Sequence, residues 1–194
     1  MNSNSLSKTK PLTAFDKKQR VYFESDISYL DPRHPTAEAF VQPKLNYICD
    51  LLPNLKSVLD VGAGNGMCTY YWKERIPRVE GLELSKKLIA QSPCKNILRW
   101  GNAYDIPNKD NTFDLVFESN LLHHVDDPIR VLSEMRRVAR KFVVCIEPNR
   151  NNPPMFTFSL IVPTERNGLK FTGNHLRGLM NQVDLKNIAS YTTG

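Results

Sequence analysis

No apolar run in this 194-residue chain approaches the roughly 18 residues that a membrane span requires. Cysteine is sparse. Cys49, Cys68, Cys94 and Cys145 stand far apart with no C-x-x-C pair, which argues against a metal site or a disulfide framework. Buried, reduced thiols in a cytoplasmic setting are the expectation. Met1 to Lys10 holds Ser, Asn and Lys but no apolar stretch, so it reads as a frayed tail rather than a secretory signal. Concentrated charge of one sign is lacking too, although the net charge is +6 and the pI is near 9.2. Lys17, Lys18 and Arg20 form one small cluster, and Arg136, Arg137, Arg140 and Lys141 another. Such scatter suits solvated helix faces and helix ends, and it argues against a nucleic-acid partner.

What is present is ordinary for a globular protein, with 41% apolar and 24% charged residues. A chain of this length reads as one domain that buries roughly 70% of its unfolded surface. We divide it into residues 1–36, a tail and aromatic-bearing lid helix, and 37–194, the main domain. Phe15 to Leu30 carries Phe15, Tyr22, Phe23 and Tyr29 among charges, until Asp31-Pro32 breaks it. Thr36 to Leu52 repeats apolar residues at helical spacing, with Pro43 bending or restarting the helix.

From there strands and helices alternate. Val58 to Val61 is β-branched and apolar around one acid, as a strand buried on both faces would be. Further strands are expected at Arg78–Glu83, Asn96–Trp100, Phe113–Phe117 and Phe142–Ile146. Helices are expected at Met67–Ile76, from Ser85 through Ala90, and after Asp126 or Asp127, where Pro128 occupies the first turn. Alternation of this kind implies right-handed crossovers and an α/β fold, a Rossmann-like, doubly wound, mainly parallel sheet flanked by helices. Ligands of such folds bind at the carboxyl ends of the strands. Pro148 to Asn174 reads as an ordered insertion or lid, His175 to Gln182 as a helix, and Ile188 to Thr192 as the start of a strand.

Gly62, Gly64 and Gly66 follow the first strand at alternate positions, so the backbone can take φ > 0 and no side chain projects from the turn. A strand, a glycine turn and a helix make a nest of N–H groups suited to a carboxylate or phosphate. The spacing is G-x-G-x-G, not the G-x-G-x-x-G of a dinucleotide site, and Met67 stands beyond it. Glu83, ending the second strand, suits the vicinal hydroxyls of a ribose.

Four segments in order carry a resemblance: Val58-Leu59-Asp60-Val61-Gly62-Ala63-Gly64-Asn65-Gly66, Val79-Glu80-Gly81-Leu82-Glu83-Leu84-Ser85, Gly101-Asn102-Ala103 and Leu121-Leu122-His123-His124-Val125. Together they resemble class I S-adenosylmethionine-dependent methyltransferases, most of all the small-molecule branch with the ubiquinone and menaquinone C-methyltransferases, over about residues 37–149. The resemblance implies S-adenosylmethionine as cofactor and a small-molecule acceptor. Gly62, Ala63, Gly64 and Gly66 would pass beneath the methionine portion, and Asp60 would steady the turn or meet the ammonium through water. Glu83, with Leu84 beside it, would hold the ribose. Asn102 and the Ala103 N–H would read the adenine edge, Asn102 standing where many relatives carry Asp. Glu118, Ser119 and Asn120 would line the methionine and sulfonium side. His123 and His124 are the catalytic candidates, as a base for an acidic acceptor, with packing or capping as the plainer alternative.

Asn152-Pro153-Pro154 looks like the N-P-P-aromatic motif of enzymes that methylate adenine or glutamine amide nitrogen. It follows the wrong strand and is followed by Met155, so a loop and helix start is the better reading. Transfer to RNA or protein, favoured only by the basic pI, and a scaffold without turnover remain the alternatives. Relatives usually end with an antiparallel seventh strand; here the expectation is that it is missing, supplied by a partner, or cut off by truncation, which leaves room for a homodimer or partner chain at the C-terminal sheet edge.

Overall fold

The structure, a computed structural model, describes residues 12–25 and 29–191. The expected tail at 1–10 lies outside the described residues. Helix α1, Ala14–Phe23, opens with a capping box in which Thr13 Oγ1 accepts from the Asp16 N–H and Asp16 Oδ2 accepts from the Thr13 N–H. Helix α2, Pro35–Leu51, starts with proline at its first position, where no N–H is needed, and runs through Pro43 as one element.

The alternating core then appears: β1 Ser57–Val61, α3 Met67–Lys73, β2 Arg78–Glu83, α4 Lys86–Gln91, β3 Leu98–Trp100, β4 Phe113–Ser119, α5 Pro128–Val138 and β5 Ala139–Ile146. Ser85 and Asp127 cap α4 and α5 by accepting the Leu88 and Arg130 N–H groups. All pairings are parallel and the strand order is β3-β2-β1-β4-β5. The chain leaves β1 in one direction for β2 and β3, and later fills the other side with β4 and β5. The switch point therefore lies between the carboxyl ends of β1 and β4, where an open α/β sheet forms its crevice.

Every residue of β1 is buried, because helices cover both faces. On one face α2 and α3 contribute Val41, Leu45, Ile48, Tyr71 and Trp72, the last meeting Phe117 of β4 edge-on with ring centroids 5.4 Å apart. The other face takes Val131, Leu132, Met135 and Val138, the apolar stripe of α5.

Beyond β5, the ambiguous stretch resolves into α6 Pro153–Ile161, a 3₁₀ segment Pro163–Lys170, and α7 Gly173–Asn181. Asn152 is the N-cap of α6, so Asn152-Pro153-Pro154 is a helix start. The strand expected from Ile188 does not form: 188–191 have no regular structure, and Thr192 lies outside the described residues. Their backbone has no strand to pair with, since the sheet of the described residues ends at β5. No helix among the described residues is long and apolar enough to cross a membrane.

Candidate functional site

A cavity of about 440 Å³, within the ordinary range for small-ligand sites, opens over the carboxyl ends of β1, β2 and β4. Of the anticipated residues, Asp60, Gly62, Ala63, Gly64, Glu83, Leu84, Asn102, Ala103, Ser119, Asn120 and His124 line it. They come from four separate loops, and the parallel sheet brings them together by ending its strands on one side.

The glycine turn follows from its backbone. Gly62, Gly64 and Gly66 have φ of 70°, 58° and 83°, which a residue with a Cβ adopts only under strain. At Gly64 a Cβ would meet nothing within 4 Å, so the turn leaves open room above it. Gly62 differs, because its Cβ would lie 2.8 Å from Leu121 Cδ1; there glycine admits the β4 loop.

Four of the N–H groups at this turn already have protein acceptors. The Gly62 and Ala63 N–H groups both donate to Leu82 O, Gly66 to Ala63 O, and Gly64 to Glu83 Oε2 at 2.7 Å. The Ser85 N–H donates to the other Glu83 oxygen, also at 2.7 Å. Burial raises the Glu83 carboxyl, and these two backbone donors pull it back. Each of its oxygens keeps lone-pair capacity toward the cavity it lines.

Asp60 is buried and accepts from Thr69 Oγ1 at 2.6 Å. Burial pushes its carboxyl up to about 7, against the Thr69 hydrogen bond and with some help from Glu83. Asn102 Oδ1 accepts from the Tyr104 N–H at 3.0 Å, so its amide oxygen is partly engaged while the amide N–H₂ has no such tie. Asn120 sits at φ 59°, a left-handed conformation that asparagine tolerates, at the mouth of β4.

Three anticipated residues do not face the cavity. The bare side of Gly66 points at Ser92, whose Oγ would lie 2.6 Å from a Cβ, so this glycine serves helix packing. Glu118 is wholly buried behind the wall, where Oε2 accepts from the Leu121 N–H and Oε1 has no protein partner. Burial, then the nearby Glu147, raises its carboxyl well above the usual range. His123 lies between two acids, Nδ1 2.6 Å from Glu147 Oε2 and Nε2 3.1 Å from Glu165 Oε2. Burial opposes its charge, but the two carboxylates outweigh that and raise it to about 9, and each of its nitrogens faces a carboxylate oxygen. Beside it, burial and then the His123 charge lower His124 to about 3. His124 is the imidazole that meets the cavity, and its Nδ1 has no protein partner.

The sequence reading missed Glu147, Glu165 and the polar residues on the inner face of α1, while Phe23 and Tyr29, two of the aromatics of the expected lid, do line the cavity. Glu147 directly follows β5, and the carboxyl end of a parallel strand was the available signal. Glu165 lies in a stretch with no periodicity to read. From α1, Asp16, Gln19, Arg20 and Phe23 line the cavity. Asp16 Oδ1 accepts from the Tyr104 hydroxyl at 2.8 Å and the Asp126 N–H at 3.1 Å, Gln19 donates to Thr164 O, and Phe23 packs edge-on to His124.

Residues 59–146 match a family model described as a methyltransferase domain. The demethylmenaquinone methyltransferase of Alkalihalophilus pseudofirmus is 36% identical over 111 residues, 50% of this chain and 47% of that protein. The ubiquinone biosynthesis O-methyltransferase of Nitrosomonas europaea is 28% identical over 131 residues, 61% of this chain and 55% of that protein. The chain thus spans about half the length of these curated relatives. Among solved structures, a Thermotoga maritima S-adenosylmethionine-dependent methyltransferase, titled a possible histamine N-methyltransferase, superposes with a TM-score of 0.63 at 22% identity, covering 76% of this chain and 72% of that one. Fold and matched segment agree: residues 59–146 are similar to a methyltransferase domain, and they lie on a parallel sheet of the kind seen in that solved S-adenosylmethionine-dependent methyltransferase.

Proposed function

We propose that this protein transfers a methyl group from S-adenosylmethionine to a small-molecule acceptor bound in the same cavity. The observation that carries the proposal is the convergence of the open Gly64 turn, the Glu83 carboxylate and the β4 mouth on one cavity. The residues present fit the cofactor: there is room where a Cβ would stand, a carboxylate with free lone pairs, and an amide near a backbone donor. When bound, the cofactor supplies an electrophilic methyl on a sulfonium. Glu83 accepts the ribose hydroxyls, Asn102 and the Ala103 N–H hold the adenine edge, and Asp60 offers charge to the ammonium. Ser119 and Asn120 border the reacting side. Because the donor is already activated, the chain's main task is to hold acceptor and methyl in line in a dry site. Relatives named for demethylmenaquinone and for ubiquinone biosynthesis support a small-molecule acceptor.

Calorimetric titration with S-adenosylmethionine is the test. Gly64→Arg fills the open turn and should abolish binding; Glu83→Ala removes charge-assisted hydrogen bonds and should weaken it about 10- to 100-fold. Unchanged affinity in both variants would overturn the site.

Three finer readings belong with this one. Residues 1–36, through α1 in their described part, act as an arm that closes the domain formed by 37–194. The open β5 edge pairs with a second copy or a partner chain. The four free cysteines support a cytoplasmic location, which cell fractionation checks.

A further inference from the structure

We propose that His123, His124 and Glu165 bind one divalent transition-metal ion, of the Zn²⁺, Co²⁺ or Mn²⁺ class, on the acceptor side of the cavity. One donor atom from each of the three lies within 4.8 Å of the other two. Glu165 Oε2 stands 3.1 Å from His123 Nε2, and its Oε1 3.6 Å from His124 Nε2. Bonds of about 2.0–2.1 Å to a tetrahedral ion separate its ligand atoms by about 3.3 Å, and each imidazole lies near that distance from one of the two Glu165 oxygens. Two imidazoles and one carboxylate suit first-row transition ions, whereas Mg²⁺ and Ca²⁺ prefer all-oxygen shells.

A second observation is independent of the cluster. The other nitrogen of His123, Nδ1, is 2.6 Å from Glu147 Oε2, and Glu147 is almost fully buried. A carboxylate on the far nitrogen fixes the ring and raises its basicity, the arrangement found behind most metal-binding histidines. His124, nine-tenths buried, keeps an unpartnered Nδ1. The other Glu147 oxygen accepts the Leu122 N–H at 2.6 Å, so the carboxylate that orients His123 is itself fixed in place.

His124 and Glu165 also line the cavity, so an ion held here has its open position toward the acceptor. Resting on the methyl-transfer reading, this names the acceptor class: a molecule with a hydroxyl or enol oxygen that the ion can take. The expectation of no metal site rested on the cysteines, and this site contains no thiolate.

The whole chain is titrated with Co²⁺ alone, followed by calorimetry and visible absorption. One ion per chain is expected, with ligand-field bands and no thiolate charge-transfer band. His124→Ala and Glu165→Gln should each weaken binding at least 100-fold, and Glu147→Gln about 10- to 100-fold. Far-UV circular dichroism and a cooperative thermal transition like those of the wild type show that each variant is folded. Absence of saturable Co²⁺ binding, binding that survives both ligand variants, or a thiolate band would overturn the site. Failure of the wild type to bind S-adenosylmethionine while Co²⁺ binds would overturn the methyltransferase reading and leave the metal site standing.

Discussion

Asp60 shows a single residue carrying opposed demands. Its ionised form is disfavoured by burial, yet that form is the one that would attract a cationic ligand. A carboxyl at about 7 when folded, against roughly 3.9 when unfolded, binds more protons in the folded state. The stability this gives is complete below about pH 4 and is lost as pH rises through about 7. Asp60→Asn should therefore melt higher than the wild type at pH 8 and at nearly the same temperature at pH 3.5. The same variant should bind S-adenosylmethionine more weakly at pH 8. A variant that melts lower at pH 8 would show that Asp60 supports the turn instead. Nothing in the order of residues announces this conflict; burial creates it.

Among the elements, α1 is tied down by polar contacts rather than by apolar area. Asp16 is buried and joins the helix cap to Tyr104 and to the loop before α5. Asp16→Ala removes four hydrogen bonds at once and leaves the Tyr104 hydroxyl without its acceptor. Hydrogen exchange in residues 14–23 should accelerate at least tenfold, with exchange in β1 and β4 unchanged. Equal protection of α1 in variant and wild type would show that Asp16 does not hold it. The same contrast explains what could be read beforehand. β1 to β5 and their helices were legible because each is a periodic or continuous apolar segment with a capping residue, as at Ser85 and Asp127. The docking of α1 was not, since it depends on Asp16 meeting a tyrosine 88 residues away. The 3₁₀ segment with Glu165 had no period to follow, and the Ile188 strand was anticipated from β-branched residues that lack a neighbouring strand.

For the whole molecule, the open side of the sheet matters most. Arg140 and Lys141 on β5 both reach Asp114, which is wholly buried at the start of β4 and also accepts the Lys56 N–H. Burial works against the Asp114 charge, but Arg140, the Lys56 N–H and Lys141 outweigh it and hold its carboxyl down at about 2. The lowered value means that this stability is present above the unfolded value near 3.9 and is lost as pH falls toward 2. Asp114→Asn should lower unfolding free energy in urea by about 1–3 kcal/mol at pH 7 and bring the variant level with the wild type near pH 2. A variant as stable as the wild type at pH 7 would rule the cluster out as a support. These interactions also turn much of the second basic cluster inward, Arg137 being taken up by Glu134 and Asp110. The β5 edge itself carries charge, a feature that restrains indiscriminate strand pairing. A specific dimer at this edge should appear in light scattering as a concentration-dependent doubling of mass that Val144→Pro prevents; a monomer at every concentration would exclude self-pairing.

Glu83 is both a wall of the cavity and a bracket for the turn opposite, through its hydrogen bond from Gly64. On the proposed reading, that acid cannot be exchanged to suit a different donor without also undoing the loop it braces. Apart from Glu165, which pairs with both histidines, the residues of Pro153–Lys170 that line the cavity (Met155 and Phe158) carry no such double duty. Lineages descending from this architecture are thus free to change what they modify while remaining bound to one source of the modification.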